Sequence, residues 1–281
     1  MVRIITREEV ARAVQENLGR LAWDLPADVQ QALEAAREAE GASRGRQALD
    51  LLLANAQVAR DGRMPLCQDT GTVWCCLEAG PDTAVAGDAL AGVDEAVAAV
   101  YTGERLRKSL VADGLSDRSN TGDNTPAFTE VRLTGEPGAR LHLMLKGGGS
   151  DNASRVVMLP PSAGRQGVID TVLACVEEKA ANACPPLVIG VGVGSTFDKV
   201  ASLAKHSLMR PVGSASPDPQ AAALERELLQ AVNATGIGPA ALGGAATALA
   251  VHVETAPCHI AALPVAVNMG CSALRRGTYE L

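Results

Sequence analysis

Charged and apolar positions are interleaved along residues 6–60, a pattern that predicts helices. Thr6 with Glu9 forms a capping-box signature, Pro26 suits a first helical turn, and Ser43 precedes the run Arg44 to Ala59. The texture changes at Met64-Pro65-Leu66-Cys67-Gln68-Asp69-Thr70-Gly71-Thr72, a polar turn that feeds the short apolar run Val73 to Leu77. An Ala/Val-rich stretch over 84–102 predicts a helix, and Ser119 to Pro126 is dense in turn formers. Leu141 to Leu145 is strand-like and runs into Lys146-Gly147-Gly148-Gly149-Ser150-Asp151-Asn152.

The second half repeats the alternation. A helix is expected from Pro160-Pro161-Ser162 to about Ala183, then Cys184-Pro185-Pro186, then a buried strand over Leu187 to Val193 ending in glycines. Helices are expected from Phe197 to Met209 and from Gln220 to Val232, separated by a surface segment, Pro211 to Pro219. Gly-rich loop and strand follow, with an apolar run to Glu254, then Pro257-Cys258-His259, and finally Asn268-Met269-Gly270-Cys271. The alternation predicts an α/β to α+β fold with mixed sheets packed against helices. Residues 1–60 are expected to be a helical scaffold and 61–281 the region that carries chemistry, in one domain or two close-packed lobes.

Composition narrows this picture. With 47% hydrophobic, 20% charged and only 2% aromatic residues, the core must be built from Ala, Val, Leu and Ile. A net charge of -7 with no basic run argues against a nucleic-acid partner. The N-terminus becomes charged at once and no apolar run reaches membrane-spanning length, so neither a secretory signal nor a membrane span is expected, and a cytoplasmic protein is. Seven cysteines in such a protein imply reduced thiols.

Three cysteines stand out by local context. Cys67, Cys184 and Cys271 each lie at the boundary of an expected strand, in a turn with Pro, Gly or Asn nearby. Their spacing contains no compact ligand signature, so buried thiols and metal ligands both remain open. Cys75 and Cys76 fall in an apolar strand and Cys175 on a helix face, positions that suit small core residues. Asp69 and His259 could act as an acid-base or orienting pair, and Arg107 could grip a carboxylate bidentately. Gly147-Gly148-Gly149-Ser150 permits close approach of N–H groups to an anion. Gly190-Val191-Gly192-Val193-Gly194 lacks dinucleotide-loop spacing, and both glycine segments are expected to bind a carboxylate or to serve the backbone alone.

Taken in order, Cys67 to Gly71, Ser119 to Pro126, Lys146 to Asn152, Cys184-Pro185-Pro186, Gly194 to Lys199 and Asn268 to Cys271 resemble the motifs of class I, iron-sulfur fumarate hydratases and the related L-tartrate dehydratase alpha subunits. The resemblance covers about residues 60–276. It implies a 4Fe-4S cluster held by Cys67, Cys184 and Cys271, with one iron open to substrate as a Lewis acid. It also implies substrate contacts from Gln68, Asp69, Arg107 and Gly148, and an acid role for His259 assisted by Asp69. The substrate implied is a small dicarboxylate, with fumarate and L-malate as the first reading, L-tartrate as the alternative, and a noncatalytic iron-sulfur subunit as a third. Ala245 stands where a lysine often follows the two glycines, and Ser272 where His is frequent; both leave the exact substrate open. The resemblance further implies a hetero-oligomer or dimer in which a separate beta subunit supplies the base and further cationic contacts.

Overall fold

A computed structural model describes residues 2–281 and divides the chain into two compact units, one formed by 1–26, 56–148 and 275–281 and the other by 27–55 and 149–274. The helical stretch expected as one scaffold is therefore shared out: α1 (Arg7–Trp23) lies in the first unit and α2 (Ala27–Ala39) in the second. α3 (Ser43–Gly62) contributes residues to each. The capping box of α1 is formed, with Glu9 N–H donating to Thr6 Oγ1 at 3.4 Å and Thr6 N–H to Glu9 Oε2 at 3.1 Å.

In the first unit, β1 (Arg3–Ile5) pairs in parallel with β3 (Thr83–Val85). The larger sheet contains β2 (Thr72–Ala79), β4 (Phe128–Leu133), β5 (Ala139–Lys146) and β10 (Arg275–Glu280), in the order β10-β5-β2-β4. Its β5 strand is antiparallel to both neighbours, whereas β4 runs parallel to β2. The inward residues Val73, Cys75, Leu77, Leu141, Leu143 and Leu145 pack with Val10, Val14 and Leu18 of α1 and with Val97 and Tyr101 of α4 (Val93–Gly103). A helix over 84–102 is corrected here: its first part is β3 and a turn, because main-chain bonds such as Ala86 N–H to Ile5 O and Ala89 N–H to Ala86 O close the chain before Val93.

The second unit is built on β6 (Arg155–Leu159), β7 (Leu187–Ser195), β8 (Ala248–Cys258) and β9 (Leu263–Gly270), in the order β6-β9-β7-β8. β8 runs parallel to β7, and β9 antiparallel. Leu187, Ile189 and Val191 enter the core with α6 (Gly164–Lys179) and α8 (Pro219–Ala234). The alternate positions face α7 (Phe197–Ser207): a Cβ on Gly190 would lie 2.1 Å from Ala204 O, and one on Gly192 would lie 2.4 Å from Val200 O. These glycines are strand residues that allow a helix to lie directly on the backbone, so the expected glycine turn is a packing device. Among the described residues no helix is long and apolar enough to cross a membrane.

Two buried carboxylates fasten the second unit. Glu40 accepts N–H groups from Ala42 (2.9 Å) and Ala245 (2.8 Å), so Ala245 takes part through its main chain. Glu225 accepts from Arg210 Nη1 (2.6 Å), Val253 N (2.8 Å) and Ser216 N (2.9 Å). Burial pushes both carboxyls up, but these donors outweigh it and leave each below the usual carboxylate range.

Candidate active site

In the first unit the chain turns sharply between Leu66, whose N–H donates to Ala22 O at 2.9 Å, and the start of β2. Asp69 sits at the centre of this turn, half-buried. Its Oδ1 accepts from Gly71 N at 3.0 Å and Ser109 Oγ at 3.2 Å, and its Oδ2 accepts from Gly148 N at 2.7 Å. A side chain at Gly71 is excluded, since φ is +81° and a Cβ would lie 2.6 Å from the carbonyl carbon of Lys146. The glycine turn after β5 thus presents a main-chain N–H directly to the Asp69 carboxylate, while Gly148 itself stays exposed.

Around Asp69 the expected residues are assembled in part. Arg107 is exposed and donates from Nη1 to Gln68 O at 3.3 Å, and its own carbonyl accepts from Thr70 Oγ1. Cys67 is half-buried, with Sγ donating to Gln68 Oε1 at 3.3 Å. Gln68, Asp69, Arg107, Gly148 and Cys67 therefore occupy one connected surface of this unit. Three residues that sequence reasoning passed over support it. Asn124, fully buried, accepts Ser109 N–H at 2.6 Å and donates to Gly71 O at 3.1 Å. Tyr101 donates to Thr70 O and Gly71 O at 3.1 and 3.2 Å, and burial pushes its hydroxyl up to about 12. Arg275 donates from Nη2 to Asp69 O at 2.9 Å.

In the second unit, Cys184 is exposed and adopts a left-handed backbone (φ 55°, ψ 68°), an uncommon conformation for a residue with a side chain. Its carbonyl accepts Ser272 N–H at 3.0 Å, which ties the Cys184 turn to the turn carrying half-buried Cys271. The neighbouring Pro185 carbonyl accepts Ala240 N–H at 2.8 Å. Gly270 fits closely here, since a Cβ would lie 3.1 Å from Val188 O and 3.0 Å from the Leu274 side chain. By contrast, Cys75, Cys76 and Cys175 are buried, and burial raises all three thiols, Cys75 to about 12. Buried, protonated thiols of this kind are poor metal ligands.

His259 does not lie beside Cys184 and Cys271. Parallel pairing sets Leu187 opposite Ala248 and Ser195 opposite Cys258, whereas the two cysteine turns lie at the Leu187 end of β7. The ends of this nine-residue strand lie about 26 Å apart at roughly 3.3 Å per residue. His259 therefore lies at the opposite end of β7 from the Cys184 and Cys271 turns of the same unit. Its exposed ring, with Nδ1 accepting Ala261 N–H at 3.1 Å, instead borders an apolar cavity of about 460 Å³ with Val168, Leu224 and Leu263.

A model of the family described as fumarate hydratase (Fumerase) matches residues 11–280. The chain belongs to the fumarate hydratase (Fumerase) family. Membership makes it a hydro-lyase. Among its relatives, the L(+)-tartrate dehydratase subunit alpha of Escherichia coli strain K12 is 34% identical over 256 residues, covering 90% of this chain and 84% of the relative. The putative L(+)-tartrate dehydratase subunit alpha of Methanocaldococcus jannaschii is 34% identical over 276 residues, covering 95% and 96%.

Proposed function

We propose that the chain is the cluster-binding alpha subunit of a hydro-lyase that interconverts fumarate and L-malate. The observation that carries the reading is the Asp69 carboxylate, fixed by Gly71 N, Gly148 N and Ser109 Oγ beside exposed Arg107. Removing water from a 2-hydroxy acid requires cations or N–H donors for the carboxylates, a group that orients or protonates the departing hydroxyl, and a base for the neighbouring C–H. Arg107 supplies the first, and Asp69, held by the Gly148 N–H of the glycine turn, the second. A guanidinium suits the first task because its planar fork matches a carboxylate, and Arg107 needs only to leave the Gln68 carbonyl to offer it. The base, together with further cationic contacts, is assigned to a beta subunit, in line with the word alpha in the relatives' names.

Cys67, Cys184 and Cys271 are proposed to hold a 4Fe-4S cluster, which when bound supplies Lewis acidity at an open iron for the departing hydroxyl. The donor chemistry fits: all three thiols are exposed or half-buried on turns, whereas the thiols of Cys75, Cys76 and Cys175 are shut into the cores, and exposed Cys258 lies at the opposite end of β7 from the Cys184 and Cys271 turns.

A second reading, dehydration of L-tartrate to oxaloacetate, is favoured by the names of the relatives. A chain reconstituted anaerobically with a beta subunit decides between them. Turnover of fumarate is expected; turnover of L-tartrate alone selects the second reading, and turnover of neither rejects both. Full-rate hydration by the chain without a beta subunit would remove the partner from the proposal.

A further inference from the structure

Arg275 begins β10, opposite Leu145 of β5, and is 1% exposed, which makes it the bulkiest of the fully buried side chains. Its Nη2 donates to Asp69 O at 2.9 Å. Nε and Nη1 are buried and have no hydrogen-bond partner. A guanidinium taken out of water with two of its three nitrogens unpaired costs several kcal/mol, and one hydrogen bond to a neutral carbonyl does not offset that. A residue retained only to hold β10 in the sheet would more readily be apolar. What Arg275 does accomplish is specific: it grips the main chain of Asp69 from behind, while Gly71, Gly148 and Ser109 hold the carboxylate from the front. Gly147 lets the two sides meet, since the position of its missing Cβ lies 3.3 Å from Asp69 Oδ2 and 3.7 Å from Arg275 Nη2. Tyr101, beside it, fixes the carbonyls of Thr70 and Gly71, so two buried side chains grip three successive carbonyls of one turn.

We propose that Arg275 is a positioning residue of the hydro-lyase reaction: it sets the Asp69 turn in its working geometry and places a fixed, desolvated positive charge behind the Gly147-Gly148 turn, where a dicarboxylate substrate binds. This deepens the assignment of Asp69 to the reaction and rests on it. Positioning and charge have separable signatures. Loss of the turn's geometry lowers kcat, because a small displacement of a catalytic group costs far more than the contact that held it. Loss of the charge raises KM for a dianion.

The test uses the complex of the chain with its beta subunit, cluster rebuilt anaerobically, with fumarate and L-tartrate as substrates. In Arg275→Met, of similar length and apolar, Tm is expected to stay level or rise, while kcat falls at least 10-fold and KM rises. Arg275→Lys keeps the charge and should recover KM more than kcat. Arg275→Ala leaves a space in which added guanidinium ion should restore at least a third of the lost kcat, a rescue that general loosening of the sheet would not show. Wild-type kinetics in Arg275→Met, or no rescue of a folded Arg275→Ala, overturns the proposal. An inactive wild-type complex on both substrates would instead reject the hydro-lyase reading, with guanidinium rescue then having nothing to restore.

Discussion

Two glycine-rich segments of this chain look alike on paper and do opposite work. Gly190 and Gly192 lie inside a buried strand, and the space their missing side chains leave is filled by the backbone of α7, whose carbonyl oxygens come within 2.1 and 2.4 Å of where a Cβ would stand. Gly147 and Gly148 lie after a strand, and the positions of their missing Cβ atoms lie 3.3 and 3.6 Å from the Asp69 carboxylate, which takes a hydrogen bond from Gly148 N–H. The first pair is spent on packing two elements together. The second pair lets the main chain reach a side-chain carboxylate. Composition cannot separate these uses; the neighbouring element does, an amphipathic helix in one case and the Asp69 turn in the other.

The largest effect that would break this comparison is expected at Gly190→Val. Its Cβ would meet a helix carbonyl that cannot move without shifting α7, so we expect a loss of about 4 kcal/mol or failure to fold, read by thermal melting. A stable Gly190→Val variant would mean that the strand glycines are not there for packing. Next is Asp69→Asn, expected to keep Tm within a few degrees but to lower turnover roughly 10²- to 10⁴-fold, the range for loss of a positioned acid-base group. An Asp69→Asn complex that retains activity would strip the second segment of its partner.

Glu225 sharpens the contrast from the other side, because it pins Val253, the β8 residue opposite Val191, and so steadies the glycine strand. Its folded carboxyl lies below the ordinary value, so its contribution is present above the unfolded value near pH ~4.3 and is lost as pH falls through the folded one. Glu225→Gln should cost about 3 kcal/mol at neutral pH, and the Tm gap from wild type should close in acid. A gap that is constant with pH would contradict this account. The smallest change is expected for Gly148→Ala, whose Cβ would lie at an ordinary 3.6 Å from Asp69 Oδ2: Tm within about 2 °C of wild type, with activity reduced a few-fold. A drop in stability like that of Gly190→Val would erase the distinction.

Much of this was legible in the sequence, and the remainder was hidden for definite reasons. Thr6 and Glu9 announce the start of α1 because both halves of a capping box are local. Asp69, Gln68 and Cys67 could be picked out because a dense polar turn ahead of a buried strand is itself a local signal. β10 could not: Arg275-Arg276-Gly277-Thr278-Tyr279-Glu280 has no apolar run and becomes a strand by pairing with β5, more than a hundred residues earlier. Arg275 was missed for the same reason, since nothing local marks an arginine as buried. Asn124 was visible only as a turn former, although its side chain joins Ser109 to Gly71. His259 was paired with Asp69 near the cysteines by side-chain chemistry and by the family resemblance, whereas the register of β8 on β7, a property of long-range pairing, carries it to the far end of the sheet.

The central claim, that Cys67, Cys184 and Cys271 of the turns and not the buried cysteines carry the cluster, is tested most directly by iron and sulfide content per chain after anaerobic purification of wild type, Cys184→Ser and Cys175→Ser. Cys184 is exposed on the turn joined to Ser272, and Cys175 is buried on α6. Wild type and Cys175→Ser should retain equal iron and sulfide, and Cys184→Ser should lose most of both. Unchanged content in Cys184→Ser, or loss in a folded Cys175→Ser, would contradict the assignment.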